Sequence, residues 1–251
     1  CDDRLMQERA PDIVTGIRLI LRGLGCDKAI VGIEDNKPEA YQAMLGATLA
    51  HDNIRVQQVP TRYPMGWDRQ MLRYLTSWEI PADGRATDIG VVIHNVATAY
   101  AVYRAVALGQ PLISRVVTVS GNAIGTPQNV EVRIGTLISE VLSHCQWQPQ
   151  HMQRLVMGGP MMGDALPLAE VPVVKACNGI LALSADEVEP AETKPCIRCS
   201  QCVSACPAGL LPLEMASRIR ANQLDAAVDL GLKDCINCGS CSYVCPSQIP
   251  L

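Results

Sequence analysis

The chain has 251 residues, 48% of them hydrophobic and 18% charged, with a net charge of −4. That composition supports a packed core and argues against disorder. It also lacks the basic balance that a nucleic-acid partner demands.

The opening residues read as alternating helix and strand. Ile13, Ile17, Ile20, Leu21 and Leu24 carry helical spacing, and Gly23 and Gly25 end that helix. Residues 29–33 are a short apolar run suited to a buried strand. Asn36 is placed to cap the next helix, with Pro38 in its first turn and Tyr41, Met44, Leu45, Thr48 and Leu49 on its inner face. Ile54, Val56 and Val59 alternate as a strand. A loop over 60–66 leads to a helix containing Met71, Leu72 and Leu75. Residues 89–93 read as another buried strand, and residues 97–108 as a helix. This alternation predicts an α/β layer with a largely parallel sheet, Rossmann-like in character, over residues 1–110.

The pattern changes near Pro111. Residues 116–120 form a strand ending in the turn pair Gly121-Asn122, and residues 130–134 form a second. Thr136 is placed to cap a helix with Ile138, Val141, Leu142 and Cys145 inside. Short apolar segments follow at 155–157, 171–174 and 180–183. Strands around one helix predict a small α+β module over residues 111–183. Within it, the run Gly158-Gly159-Pro160-Met161-Met162-Gly163 lacks the lysine of a phosphate loop and reads as a structural turn. An acidic linker over 184–194 then precedes the last segment, 195–251.

No window spans a membrane: residues 89–108 are the most apolar, and His94, Asn95, Tyr100 and Arg104 interrupt them. No signal-peptide pattern is visible. The chain begins at Cys1 and stops at Leu251, close after a cysteine motif. We read it as a piece of a longer polypeptide.

Of the 12 cysteines, Cys1, Cys26, Cys145 and Cys177 are scattered and read as small apolar residues. The rest form two runs with the spacing C-x2-C-x2-C-x3-C-P. The first is Cys196, Cys199, Cys202, Cys206 and Pro207; the second is Cys235, Cys238, Cys241, Cys245 and Pro246. Three thiolates two residues apart wrap one face of an iron–sulfur cube, and the fourth lies beyond. In two-cluster proteins the fourth cysteine ligates the other cluster. That rule assigns one [4Fe–4S] cluster to Cys196, Cys199, Cys202 and Cys245, and the other to Cys235, Cys238, Cys241 and Cys206. The competing zinc reading expects four-ligand sites of paired knuckles, often with histidine, and no histidine lies nearby. Between the runs, Leu213, Met215, Ala216 and Ile219, then Leu224, Ala227 and Val228 with Gly231 as a stop, predict helices. The fold class is therefore α/β, then α+β, then an α-helical two-cluster ferredoxin domain. No G-x-G-x-x-G fingerprint follows a strand.

The order of these segments resembles the flavin-binding subunit of respiratory complex I. It resembles more closely the RnfC family of the Rnf (Rsx) ion-translocating electron-transport complex. The resemblance runs along nearly the whole chain. It rests on residues 1–4 (Cys-Asp-Asp-Arg), 33–38 (Ile-Glu-Asp-Asn-Lys-Pro), 63–66 (Tyr-Pro-Met-Gly), 116–121, 158–163, 195–199 (Pro-Cys-Ile-Arg-Cys) and 241–246.

The resemblance implies a partial flavin-binding domain, a β-grasp-like module of the SLBB type and FMN beside the clusters. It implies NADH or ferredoxin as redox partner, other subunits of an Rnf-type complex as structural partners, and a peripheral place on the cytoplasmic side of the inner membrane. The family's glycine-rich flavin loop has no counterpart in this sequence, so the pocket is expected to be incomplete and the isolated chain to lack NADH activity. Tyr63, Gly66 and Asp68 resemble the flavin-side stretch in complex I, although Trp67 departs from it. Asn95 and Thr98 resemble an Asn-x-x-Thr turn near the flavin phosphate. Three other readings stand beside this one: a soluble flavin/iron–sulfur cobalamin reductase, the diaphorase subunit of a hydrogenase or formate dehydrogenase, and a non-catalytic iron–sulfur relay or redox-sensing module. Flavin binding separates the last from the others.

Overall fold

A computed structural model describes residues 1–188 and 192–251. The linker over 184–194 thus lies partly outside the described residues. The chain divides into two compact units. One comprises Cys1–Thr118, Gln128–Leu137 and Pro172–Asn178; the other comprises Val119–Pro127, Ile138–Val171 and Gly179–Leu251.

The first unit opens with α1 (Asp2–Leu24), which continues through Pro11. The proline ring cannot accommodate the carbonyl four residues earlier, and the backbone leaves helical geometry at Arg9 (φ −130°) to relieve it. Gly25 (φ 66°) ends the helix as a left-handed cap, whereas Gly23 lies inside it. Strand β1 (Ala29–Glu34), helix α2 (Pro38–Thr48) and strand β2 (Ile54–Val59) follow as a βαβ unit, and the two strands pair in parallel from Ala29↔Ile54 to Glu34↔Val59. Lys37, not Asn36, occupies the N-cap of α2, with Pro38 at its first position. The buried face of α2 is Ala40, Met44 and Thr48, while Leu45 and Leu49 face outward. The hydrophobic spacing alone fits both faces, and packing against α1 selects the one bearing small residues.

The sheet is covered on both sides, as parallel strands require. Val31 and Ile33 join α1 and α2 in a buried cluster with Ile13, Val14, Met44 and Ile54. On the other face, a side chain at Gly32 would meet Met71 Sδ at 2.6 Å, because α3 (Asp68–Thr76) lies over the strand there. Asp35, just after β1, accepts hydrogen bonds from Thr61 Oγ1 (2.6 Å) and Thr61 N (3.0 Å) just after β2. These bonds hold its carboxyl below the ordinary carboxylate range.

The expected strand at 89–93 does not form: residues 86–89 are a 3₁₀ turn and 91–95 have no regular structure. The run is apolar enough for a buried strand, but among the described residues β1 and β2 pair only with each other, and a strand without a ladder partner leaves its backbone unsatisfied. Helix α4 (Val96–Leu108) follows as expected. It crosses α1 so closely that a Cβ at Gly16 would overlap the carbonyl oxygen of Ala99.

The β-grasp-like part contains β3 (Ser114–Ser120), β4 (Gln128–Arg133), α5 (Ile138–His144), β5 (Met152–Met157), β6 (Asp164–Leu166) and β7 (Gly179–Ser184). The division between the two units falls within β3. In the first unit, Arg104 of α4 pairs with Glu131 of β4 (3.3 Å). In the second, β5 pairs antiparallel with β6 and β7, and α5 buries Ile138, Val141, Leu142 and Cys145 as its spacing predicts. Residues 171–174 form no strand. Val173 is buried and its backbone bonds Thr136 and Gly135 in the first unit. Residues 158–163 make the turn between β5 and β6, as expected.

The C-terminal segment is helical: α6 (Gln201–Ala205), α7 (Pro212–Arg220), α8 (Leu224–Asp229) and α9 (Ser240–Tyr243). Met215 and Ala227 are its buried helical anchors, and Gly231 (φ 89°) follows α8. Among the described residues no helix is long and apolar enough to cross a membrane.

Candidate functional site

The two cysteine runs fold as a backbone repeat. In the first, Arg198 (φ 56°) and Ser200 (φ 61°) flank Cys199 in the left-handed region; in the second, Asn237 (φ 54°) and Gly239 (φ 75°) flank Cys238 in the same way. Gly209 (φ 67°) and Gln248 (φ 53°) repeat the pattern after the two Cys-Pro pairs. Left-handed backbone costs non-glycine residues free energy, so its recurrence at matching positions marks a shape imposed by function. In the first run amide N–H groups turn toward sulfur. Arg198 N donates to Cys196 Sγ (3.3 Å), and Leu210 N donates to Cys206 Sγ (3.4 Å). Such bonds to thiolate sulfur are among the means by which a protein sets the potential of an iron–sulfur cluster.

A cavity of about 130 Å³ lies between the runs, lined by Cys196, Cys199, Cys202 and Cys245, with Leu213 and Ile249. Three of these thiols come from the first motif and the fourth from the second. This is the crossed quartet that the spacing rule assigns. Soft thiolates in an apolar recess suit an iron–sulfur cluster, so these residues fit the group. The crossing has its own fastenings. Lys194 N donates to the carbonyl of Ser247 (2.9 Å), and the buried Ser247 hydroxyl donates to the carbonyl of Pro195 (2.9 Å). The start of one motif is thereby tied to the end of the other. Of the second quartet, Cys238 is buried and its Sγ lies 3.4 Å from Ser240 Oγ. Burial pushes the Cys241 thiol up. Iron binds the thiolate, so loading the site expels that proton.

The scattered cysteines divide. Cys145 and Cys177 are buried core residues, as expected; Cys1, at the N-cap of α1, is half-buried and Cys26, after the cap at its other end, is exposed, so neither is a core residue.

The five residues matched to a flavin pocket all lie in the first unit. Tyr63 and Gly66 sit in the loop after β2, and Asp68 begins α3, its carboxylate accepting from Arg69 N (2.7 Å). Asn95 caps α4: its Oδ1 accepts from Ala97 N (2.8 Å) and its Nδ2 donates to Asp2 (2.6 Å). Thr98 follows in the first turn. Asp2 and Asn95 therefore bring two of the family-like stretches together. Sequence reasoning missed Arg69. Its guanidinium donates to the carbonyls of Ile80 (2.9 Å), Pro81 (2.9 Å), Ala82 (3.3 Å) and Gly84 (2.7 Å), and so fastens the 80–84 loop to α3. One arginine on an exposed helix face carries no sequence signal for that clamp.

Three stretches of the chain match known domain families. Residues 1–104 match the family described as the Nuo51 FMN-binding domain. Residues 116–165 match the SLBB domain, and residues 195–249 match a 4Fe-4S dicluster domain. The RnfC component of the ion-translocating oxidoreductase complex from Rhodobacter capsulatus is 51% identical over 252 residues, covering 100% of this chain and 49% of the relative. The component of the same name from Pseudomonas aeruginosa is 47% identical, covering 85% of this chain and 28% of the relative. The chain thus spans about half the length, or less, of the curated relatives it matches. Among solved structures, an NAD+-reducing [NiFe]-hydrogenase in the H2-reduced state aligns over 98% of this chain and 50% of that one, with TM-score 0.61 and 19% identity. The air-oxidised form aligns over 73% of this chain and 38% of that one, with TM-score 0.58 and 21% identity. At such identities the likeness is one of fold.

Proposed function

We propose that this chain, a homologue of the RnfC component of the ion-translocating oxidoreductase complex, is an electron-transfer segment of such a complex. It relays electrons between a flavin and two [4Fe–4S] clusters. The observation that carries this reading is the cavity joining Cys196, Cys199 and Cys202 to Cys245. When bound, the flavin exchanges a hydride's two electrons for single ones, and the clusters pass those singly.

The chain's own residues divide the work in three. Residues 1–110 are the flavin-side domain, where Tyr63, Gly66, Asp68, Asn95 and Thr98 would contribute to holding the cofactor. Residues 111–183 are the SLBB-type module. Residues 195–251, after the 184–194 linker, hold both clusters, with the crossed thiols keeping them adjacent. NADH or ferredoxin is the redox partner, and this chain is a peripheral part of the complex on the cytoplasmic side of the inner membrane, with its membrane partners coupling electron flow to ion transport. The match to the FMN-binding and dicluster domains favours this over a pure relay.

Anaerobic stopped-flow spectroscopy tests the reading. In a polypeptide of the relatives' full length, loaded with FMN, iron and sulfide, NADH is expected to bleach the cluster absorbance. The 251-residue chain is expected to bleach with dithionite but not with NADH. A full-length protein that binds no flavin, yet holds both clusters, overturns the flavin role and leaves the relay or sensing reading.

A further inference from the structure

The two cluster loops share one backbone shape but not one environment. Residues 196–200 of the first loop are all exposed, and Ile197 retains 68% of its surface. In the second loop Cys238 and Ser240 are buried, at 8% and 7%. Part of what covers the second loop comes from the glycine-rich turn between β5 and β6. A Cβ at Gly239 would stand 3.4 Å from Met161 Cε and 3.6 Å from the Met161 carbonyl oxygen. Gly239 adopts φ 75°, which favours glycine, and Met161 packs within van der Waals range of this position beside Cys238. The turn that delivers Met161 is itself constrained. A side chain at Gly163 would strike Val156 Cγ1 at 2.6 Å and the Met157 carbonyl oxygen at 2.9 Å. The whole contact lies within the second unit.

We propose that Met161 is a positioning residue for electron transfer: the 158–163 turn caps the second cluster loop, and Met161 keeps water from the cluster held by Cys235, Cys238 and Cys241. This rests on the two-cluster reading above. Reduction adds negative charge to a cluster, and water stabilises that charge, so a shielded cluster has the lower potential. Ser200, at the position of the first loop that matches Gly239, is exposed. The cap makes the two sites unequal, with the second the stronger reductant and the first the site open to a partner. It also gives the SLBB-type module a task beyond spacing. A thioether suits that task, being apolar and adaptable in shape.

The test is an EPR-monitored redox titration of the reconstituted protein. Single-cluster backgrounds assign the signals: Cys199→Ala retains the cluster of the second motif, and Cys238→Ala retains that of the first. Met161→Ala is expected to move the midpoint to more positive potential in the Cys199→Ala background and to leave it unchanged in the Cys238→Ala background. Met161→Leu, which keeps the apolar cover, is expected to restore the original midpoint. If Met161→Ala compromises folding, Met161→Gln gives the same readout, because it keeps the length and loses the apolar tip. Equal shifts in both backgrounds, or none in either, overturn the proposal. A protein that takes up no iron would instead overturn the two-cluster reading beneath it.

Discussion

Replacing Cys199 and Cys245 together with alanine is expected to leave about four irons per chain, the same as replacing either alone. Replacing Cys199 and Cys206 together is expected to leave almost none. The reasoning is geometric. Cys196, Cys199 and Cys202 share their cavity with Cys245 of the other motif, so Cys199 and Cys245 serve one cluster. Cys206 follows in the first run but serves the second cluster, so losing it with Cys199 damages both. If each motif instead held its own cluster, the two double variants would exchange results. Alanine is preferred to serine because a serine oxygen can still ligate iron. Iron counting after anaerobic reconstitution reads the outcome. Loss of a cluster also removes folding free energy, since metal–thiolate ligation and folding are coupled in such sites. The variants are therefore expected to unfold earlier as well.

The second large effect concerns the first unit. Gly16→Ala is expected to destabilise it by about 3 kcal/mol, the upper part of the usual range for overpacking. The added methyl has no space, because it would coincide with the Ala99 carbonyl of α4. Neither atom can yield cheaply: the methyl is fixed directly to the α1 backbone and the carbonyl is part of the α4 backbone, both beside the main core cluster. In a chain of this size such a loss lowers the melting temperature by roughly 6–12 °C. Gly46→Ala is the control. That glycine lies in α2 with nothing within 4 Å of the added methyl, and alanine there is expected to stabilise by about 0.5–1 kcal/mol. Thermal unfolding followed by circular dichroism compares the two. An unchanged melting temperature for Gly16→Ala would mean that α1 and α4 do not cross so closely.

The cysteine motifs were legible in the sequence because a cluster dictates the spacing of its ligands. The helices between the motifs were legible for a similar reason: Met215 and Ala227 fall on the periodic faces that burial requires. Helix-face assignment was partly right at α2: Met44 and Thr48 are buried as expected, but Leu45 and Leu49, which carry the hydrophobic signal, are exposed, and Ala40 joins the packing instead. The strand expected at 89–93 failed because composition reports burial, whereas a strand also needs a hydrogen-bonding neighbour. The left-handed backbone at Arg198 and Ser200 was hidden, since neither residue type advertises it; Asn237 and Gly239, at the matching positions, do. The carbonyl clamp of Arg69 and the contact of Met161 with Gly239 depend on distant parts of the chain, which no local pattern encodes.

The most direct test of the electron-relay account is anaerobic reconstitution with iron and sulfide, followed by iron and zinc analysis and EPR of the reduced protein. The account predicts about eight irons per chain and the signals of two interacting clusters. Four irons, or zinc in place of iron, would contradict it.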